Sequence, residues 1–297
     1  MFMNDLVYVV NQSKLSAYTD DTQIFHTDQD PVKVQETINS DLANVDKWYV
    51  ENGMKRNHTR YQAIVMGKCK IKPEFSCENT VIKNSDVLEL LGVTVDEKLK
   101  FGMHVNKVCR KVFRKVSQQV GILKCMRNLL PFETRLSIYT SFIVPHFNYC
   151  SERWHFCNKS SSDKLEKVNE RAIRFVFNDK STPYEELLNK IGTIPSRQQR
   201  VKKIISNVYK LINDSNSPES LKDFLNLRQS TYSLRGKDIL KLPKVNSTTY
   251  GLKSWQYQAA KLWNALRDLV RSAENSKAFK NSINKFDIKH ILDVFDT

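Results

Sequence analysis

The chain has 297 residues, enough for one or two sizeable cores, and 40% are apolar, 10% aromatic, with only eight Gly and eight Pro, which excludes disorder and a turn-rich all-β protein. Its 47 Lys and Arg against 32 Asp and Glu leave a net charge of +15, which points to a polyanionic partner, nucleic acid before a membrane surface, with solvated surface charge as the alternative. No apolar run approaches the ~20 residues of a membrane span, the start Met1-Phe2-Met3-Asn4-Asp5 lacks the marks of a signal peptide, and six scattered Cys suit reduced thiols, so an intracellular place in cytoplasm or nucleus is expected.

Lys14 to Tyr18 and residues 23–26 are short strands joined through Thr19-Asp20-Asp21-Thr22, a hairpin-like pattern. Val34, Ile38, Leu42, Val45 and Tyr49 recur at helical spacing, and Asn52-Gly53 ends that helix. Residues 63–66 and 88–95 read as further buried strands. From Lys98 the character changes, because the stretch from Lys98 to Phe132 holds nine Lys and Arg and no acid. Val105, Val108, Val112, Val116, Val120 and Leu123 form an apolar stripe there, with Lys107, Arg110, Lys111, Arg114 and Lys115 off it. A second helix is expected over 133–144, and Ser160-Ser161-Ser162 reads as a linker. Helices follow around 163–178, 184–191, 197–213 and 254–271, with turn-rich connections near 215–220 and 242–251.

Adjacent aspartates are most often solvated turn residues. Nucleotidyl transfer, however, needs divalent ions about 4 Å apart, held by carboxylates on a rigid frame. Oxygen ligands suit Mg²⁺, which keeps its own waters and substrate phosphates. The string Leu15-Ser16-Ala17-Tyr18-Thr19-Asp20-Asp21-Thr22-Gln23-Ile24-Phe25 resembles the F/Y-A-D-D motif of reverse transcriptases of non-LTR (LINE-type, jockey-like) retrotransposons, with Thr19 where Ala is usual. The resemblance implies that Asp20 is a Mg²⁺ ligand, that Asp21 supports it, and that Tyr18 and Thr19 lie near the primer end. Asp46-Lys47-Trp48, Asn52-Gly53-Met54-Lys55 and Asn57-His58-Thr59-Arg60 are similar to the family's W-x-x-x-N-G-M/L-K-x-N-x-x-K segment. There Arg60 replaces a Lys that contacts the incoming nucleotide; it keeps the charge but gives up its proton far less readily. The segment Lys164 to Phe175, Tyr232-Ser233-Leu234-Arg235-Gly236 and Ala259-Ala260-Lys261-Leu262-Trp263-Asn264 resemble stretches that follow the thumb in these elements.

The implied fold is α+β. The end of a reverse-transcriptase palm, an antiparallel sheet with helices, occupies 1–97; a basic helical thumb follows over 98–159, then a helical C-terminal domain over 160–297. The implied function is RNA-directed DNA polymerisation on an RNA template and a DNA primer, with the basic helix gripping phosphates. The family site needs a further Asp on an earlier strand, yet only 19 residues precede Asp20, and their sole acid, Asp5, falls in a segment resembling the helix before the hairpin. The resemblance therefore implies a chain that begins mid-palm, lacks the N-terminal half of the polyprotein and is inactive alone. The alternative is a non-catalytic basic RNA/DNA-binding remnant of a mobile element.

Two other patterns have plainer readings. His146, Cys150, His155 and Cys157 are zinc-ligand types, but their spacing is irregular and Tyr149, Trp154 and Phe156 stand among them, which predicts a packed helix end instead. Trp255, Tyr257, Trp263 and Phe279 suit stacking on bases. With Ala259, Leu262, Leu266 and Leu269 in helical phase with Trp255, a core is the stronger expectation.

Overall fold

The computed structural model describes residues 3, 5–67, 69, 71–77, 80–126, 130–228, 239–288 and 291, so the expected Tyr232–Gly236 marker lies outside the described residues. The chain divides into two units, residues 1–99 and 100–297. The fold is α+β, with antiparallel hairpins in the first unit and helices dominating the second.

In the first unit, β1 (Lys14–Tyr18) and β2 (Asp21–Phe25) form a hairpin in which Leu15 faces Ile24 and Tyr18 faces Asp21. A single helix, α1 (Pro31–Glu51), follows. It starts where the Asp30 carboxylate accepts the Val32 N–H at 2.9 Å, with Pro31 supplying a φ already suited to the first turn. It stops at Asn52, after which Gly53 takes a φ of 65° and the Met54 N–H returns to the Tyr49 carbonyl at 2.9 Å. That left-handed residue is one that Gly adopts without Cβ strain. Leu15 and Ile24 pack on Leu6, Val45 and Trp48, so one face of the hairpin is sealed against α1.

Three further features differ from the sequence reading or refine it. Residues 63–66 are not a strand; only Ala63 bridges, in parallel, to Asn84. The apolar run 88–95 is a hairpin, β5 (Val87–Leu90) and β6 (Val93–Asp96), preceded by the small hairpin of β3 (Phe75–Cys77) and β4 (Thr80–Ile82). Leu91 and Gly92 both have positive φ, 46° and 79°, which is the two-residue turn that a continuous apolar run conceals.

The second unit opens with α2 (Gly102–Met126). Next come α3 (Phe132–Ile138), a π-helical turn over Tyr139–Ile143 and α4 (Val144–Asn148), so the helix expected over 133–144 runs on to 148. The wide turn precedes Pro145, which has no N–H to donate to the preceding turn. After α5 (Ser151–Trp154) comes α6 (Lys159–Phe177), which absorbs the serine stretch expected as a linker. Asn158 caps it by accepting the Ser161 N–H at 2.8 Å, and Ser161 and Ser162 are buried in its first turn. The chain continues through α7 (Tyr184–Ile191), α8 (Ser196–Asn213), α9 (Glu219–Lys222), α10 (Trp255–Asn264), α11 (Asp268–Arg271) and α12 (Ser276–Lys285). The stretch expected as one helix over 254–271 breaks at Arg267, whose extended backbone resets the phase; Leu266 and Val270 are buried and Leu269 is 87% exposed.

Two cores hold this unit. One joins Val105, Val108 and Val112 of α2 to Leu165, Val168 and Ala172 of α6; the other joins Ile204 and Val208 of α8 to Ala260, Trp263 and Phe279. Between helices runs a buried polar chain. Tyr139 donates to Asn169 (2.8 Å), Asn169 to the Tyr184 hydroxyl (2.9 Å), and Tyr184 to Glu166 (2.7 Å). Glu166 also accepts the Ser196 N–H (3.1 Å), the Ser196 hydroxyl (2.6 Å) and the Arg197 N–H (3.3 Å), and so caps α8 from α6. Replacing Glu166 with Ala strands several of these donors and is expected to destabilise the second unit by about 3 kcal/mol, measured by urea unfolding.

Candidate active site and nucleic-acid interface

The hairpin is held from below by a residue the sequence reading missed. Asp41 is 1% exposed and sits in the apolar stripe Ile38, Val45, Trp48 of α1. Its carboxylate accepts the N–H groups of Asn11 (3.0 Å), Gln12 (3.2 Å) and Ser13 (2.6 Å), which fixes the chain as it enters β1. Burial pushes its carboxyl up, but bonds from the backbone outweigh burial and leave it below the usual range. An acid at a stripe position was the available signal.

At the tip, Thr19 and Asp20 are the two turn residues between the paired Tyr18 and Asp21. Thr19 stands at φ 55°, a left-handed conformation costly for a β-branched residue. Its hydroxyl lies 2.7 Å from the Tyr18 carbonyl and 2.9 Å from Asp20 Oδ1. That bond, the Asp20 N–H and, more weakly, the Arg60 guanidinium hold the Asp20 carboxyl below its ordinary value. Asp20 and Asp21 are both exposed, and Tyr18 beside them is 65% exposed.

Arg60 reaches this neighbourhood through a local frame. Asn57 Oδ1 accepts the Thr59 N–H (3.2 Å) and hydroxyl (2.6 Å), shaping a 3-10 turn over His58–Arg60. Arg56 forms a buried ion pair with Asp46, whose Oδ1 also accepts from the Cys77 thiol at 3.2 Å. Trp48 is in the core, its indole N–H donating to Asp5 at 3.3 Å. Residues of the W-x-x-x-N-G segment thus brace the hairpin, and Asp20 and Arg60 are brought within electrostatic reach of each other.

Carboxylate oxygens on an exposed, anionic turn are the donor type that Mg²⁺ takes, with water and substrate phosphates completing its shell. Among the described residues no three His, Cys, Asp or Glu side chains are grouped as a metal site, so Asp20 and Asp21 stand as a pair. His146, Cys150, His155 and Cys157 are likewise not so grouped. His155 accepts from Arg200 Nε at 3.3 Å and meets Phe156 edge-on, and Cys150 precedes α5 at φ 47°. Trp263 and Phe279 are core residues, with Phe279 stacked on both Tyr209 and Trp263, while Trp255 lies under Arg153.

In the second unit α2 buries Val105, Val108 and Val112 and exposes Lys107, Arg110, Lys111 and Arg114, with Lys115 half-buried. Lys111 and Lys115 lie near His146 of α4; burial, then these two cations, lower the imidazole's proton affinity. The buried Arg200, over the Trp154 ring at 5.3 Å, is drawn down to about 10 by burial.

No protein-family model and no solved structure matches the chain. Over 164 residues, 54% of this chain, it is 21% identical to the RNA-directed DNA polymerase from mobile element jockey of Drosophila melanogaster, covering 18% of that protein. Over 99 residues, 33% of the chain, it is 22% identical to the probable RNA-directed DNA polymerase from transposon BS of the same fly, covering 11% of it. The chain is similar to the RNA-directed DNA polymerases of non-LTR mobile elements. A third such relative, from transposon X-element, matches at 22% over 109 residues, 37% of the chain and 12% of that protein. The matched stretches span less than a fifth of each relative's length. Among the described residues no helix is long and apolar enough to cross a membrane.

Two substitutions test this frame. Asp41→Asn is expected to lower the first unit's stability by about 2 kcal/mol at neutral pH, read from hydrogen exchange of its amides. Because the folded pKa of Asp41 is depressed, the wild-type advantage is present above the unfolded pKa and shrinks as pH falls through the folded one. Thr19→Gly is expected to stabilise the hairpin by about 1 kcal/mol through relief of the positive φ. The same change removes the hydroxyl bond, so the Asp20 carboxyl should titrate higher by NMR.

Proposed function

We propose that this chain carries part of the polymerase site of an RNA-directed DNA polymerase, with Asp20 and Asp21 as the ion-holding carboxylates of a two-metal nucleotidyl transfer. The observation that carries it is the braced turn: an exposed, anionic Asp20 at a hairpin tip, beside Asp21, under the charge of Arg60. Bound there, Mg²⁺ would lower the barrier to attack by a primer hydroxyl and stabilise the leaving pyrophosphate. Arg60 acts as a fixed cation for the phosphates of an incoming nucleotide and not as a proton donor. Tyr18, exposed next to the turn, lies beside the primer end.

Residues 1–97 are then the end of a palm and 98–159 a thumb whose Lys107, Arg110, Lys111, Arg114 and Lys115 grip the phosphates of an RNA template and a DNA primer. Of the C-terminal helices of 160–297, α6 and α7 share a core with α2, so thumb and these helices act as one piece. Two carboxylates do not fix two ions, so the chain by itself binds nucleic acid without extending it.

The test uses this chain and a longer polypeptide that supplies a further carboxylate strand, each as wild type, as Asp20→Asn, and with the five α2 cations changed to Glu. Asp20→Asn should abolish primer extension by the longer polypeptide and leave binding intact. The α2 reversals should weaken binding at least tenfold, roughly as expected when several phosphate contacts are lost. Extension surviving Asp20→Asn overturns the catalytic assignment. Binding without extension in the longer polypeptide favours a non-catalytic nucleic-acid-binding remnant.

A further inference from the structure

The basic face of α2 does not end at α2. The adjacent helix α6 exposes Lys164, Lys167 and Arg171, which recur at i, i+3 and i+7 and so lie on one stripe. The flank next to it, Leu165, Val168 and Ala172, each one residue further on, is buried against α2. Two contacts orient the stripe. The Arg171 guanidinium lies over the Phe113 ring of α2, 5.6 Å from its centroid. Lys164 lies near Cys109 of α2, close enough for its charge to act on that thiol. Cys109 and Phe113 follow one another on α2 in the order in which Lys164 and Arg171 follow on α6, so the two helices run the same way, side by side.

Phe113 is 49% exposed, an aromatic ring left in solvent under Arg171 of α6, with Arg110 and Arg114 next to it round α2. Among the described residues none of Arg110, Lys111, Arg114, Lys115, Lys164, Lys167 and Arg171 is in an ion pair with a carboxylate. The nearby acids of α6 are accounted for: Glu166 turns inward to cap α8, and Glu170 is held by Arg174 at 2.7 Å. Asp163, at the margin of the stripe, is the one acid left exposed among the described residues of α6. Unpaired like charges on two packed helices repel one another, a cost that a bound polyanion removes.

We propose that α2 and α6 form one surface for a double-stranded nucleic acid, with Lys164, Lys167 and Arg171 as a second row of phosphate contacts beside that of α2, and Phe113 packed against the backbone sugars between them. Packed helices lie roughly 8–10 Å apart, so two rows of side chains span a distance comparable with a duplex groove about 12 Å wide. Two rows match two phosphate strands, which favours a duplex over a single strand. Such contacts position the duplex without reading its sequence.

This surface rests on the nucleic-acid reading above, and the test separates the two. The full chain would be titrated by fluorescence anisotropy with an RNA·DNA duplex and with each single strand, across rising KCl. The proteins compared are wild type, Lys164→Ala/Lys167→Ala/Arg171→Ala, Phe113→Ala, and the five-site α2 reversal, with melting curves confirming that each is folded. The α6 triple variant should lose about tenfold or more in duplex affinity and flatten the log–log salt slope by roughly 2–3, about 0.9 per contact removed. Phe113→Ala should weaken duplex binding several-fold with the salt slope unchanged. If the α2 reversal weakens binding while the α6 variant keeps wild-type affinity and slope, the second row is wrong and the α2 grip stands. Loss confined to single strands also overturns the duplex surface. A folded wild-type chain that binds neither duplex nor single strand overturns this proposal together with the reading it rests on.

Discussion

Asp41 has given up water almost entirely, and in exchange it takes the N–H groups of Asn11, Gln12 and Ser13. A buried carboxylate is tolerable only when fully paired. The pairing here makes the entry of β1 rigid relative to α1. Leu15 and Ile24 then seal the hairpin on Val45 and Trp48, and the register that follows leaves Thr19 and Asp20 as the turn. Everything chemical about the turn depends on that register, because a one-residue slip would send Leu15 and Ile24 to solvent.

The brace continues on the far side of α1. The buried Asp46–Arg56 pair, joined by the Cys77 thiol, holds the loop from which Arg60 projects. Truncating one partner would leave a buried charge alone, which is far costlier than losing a surface pair. Two acids on one helix, Asp41 and Asp46, thus organise the two segments that bring Asp20 and Arg60 together. Thr19 adds local strain at the tip, and its hydroxyl compensates by holding the Asp20 carboxylate.

The second unit uses neutral and charged polar groups differently. Glu166, Asn169, Tyr139 and Tyr184 form a continuous chain between helices, and Asn264 pairs with both backbone groups of Leu240 at 2.8 Å. Glu166, Asn169 and Asn264 lie in the stretches Lys164 to Phe175 and Ala259 to Asn264, which resemble segments of mobile-element proteins. Their structural use is to lock helices to one another. That leaves the outer faces of α2 and α6 free to carry charge.

Much was legible from sequence. The hairpin around Thr19-Asp20-Asp21, the helix ended by Asn52-Gly53, and the division of α2 into Val105, Val108, Val112 on one side and its cations on the other all follow from local rules: alternation, a 3.6-residue period and turn residues. Charge and the Tyr-Thr-Asp-Asp string pointed to nucleic acid and to polymerase relatives for the same reason, since they are properties of residues read in order. What only the tertiary structure decided are pairings between distant segments. Asp41 reaching back about thirty residues to Asn11, Arg56 finding Asp46, and Arg171 covering Phe113 were not visible in any window. The reason is physical. Local propensity is set by near neighbours, whereas the partner of a buried charge is set by how the helices and hairpins pack.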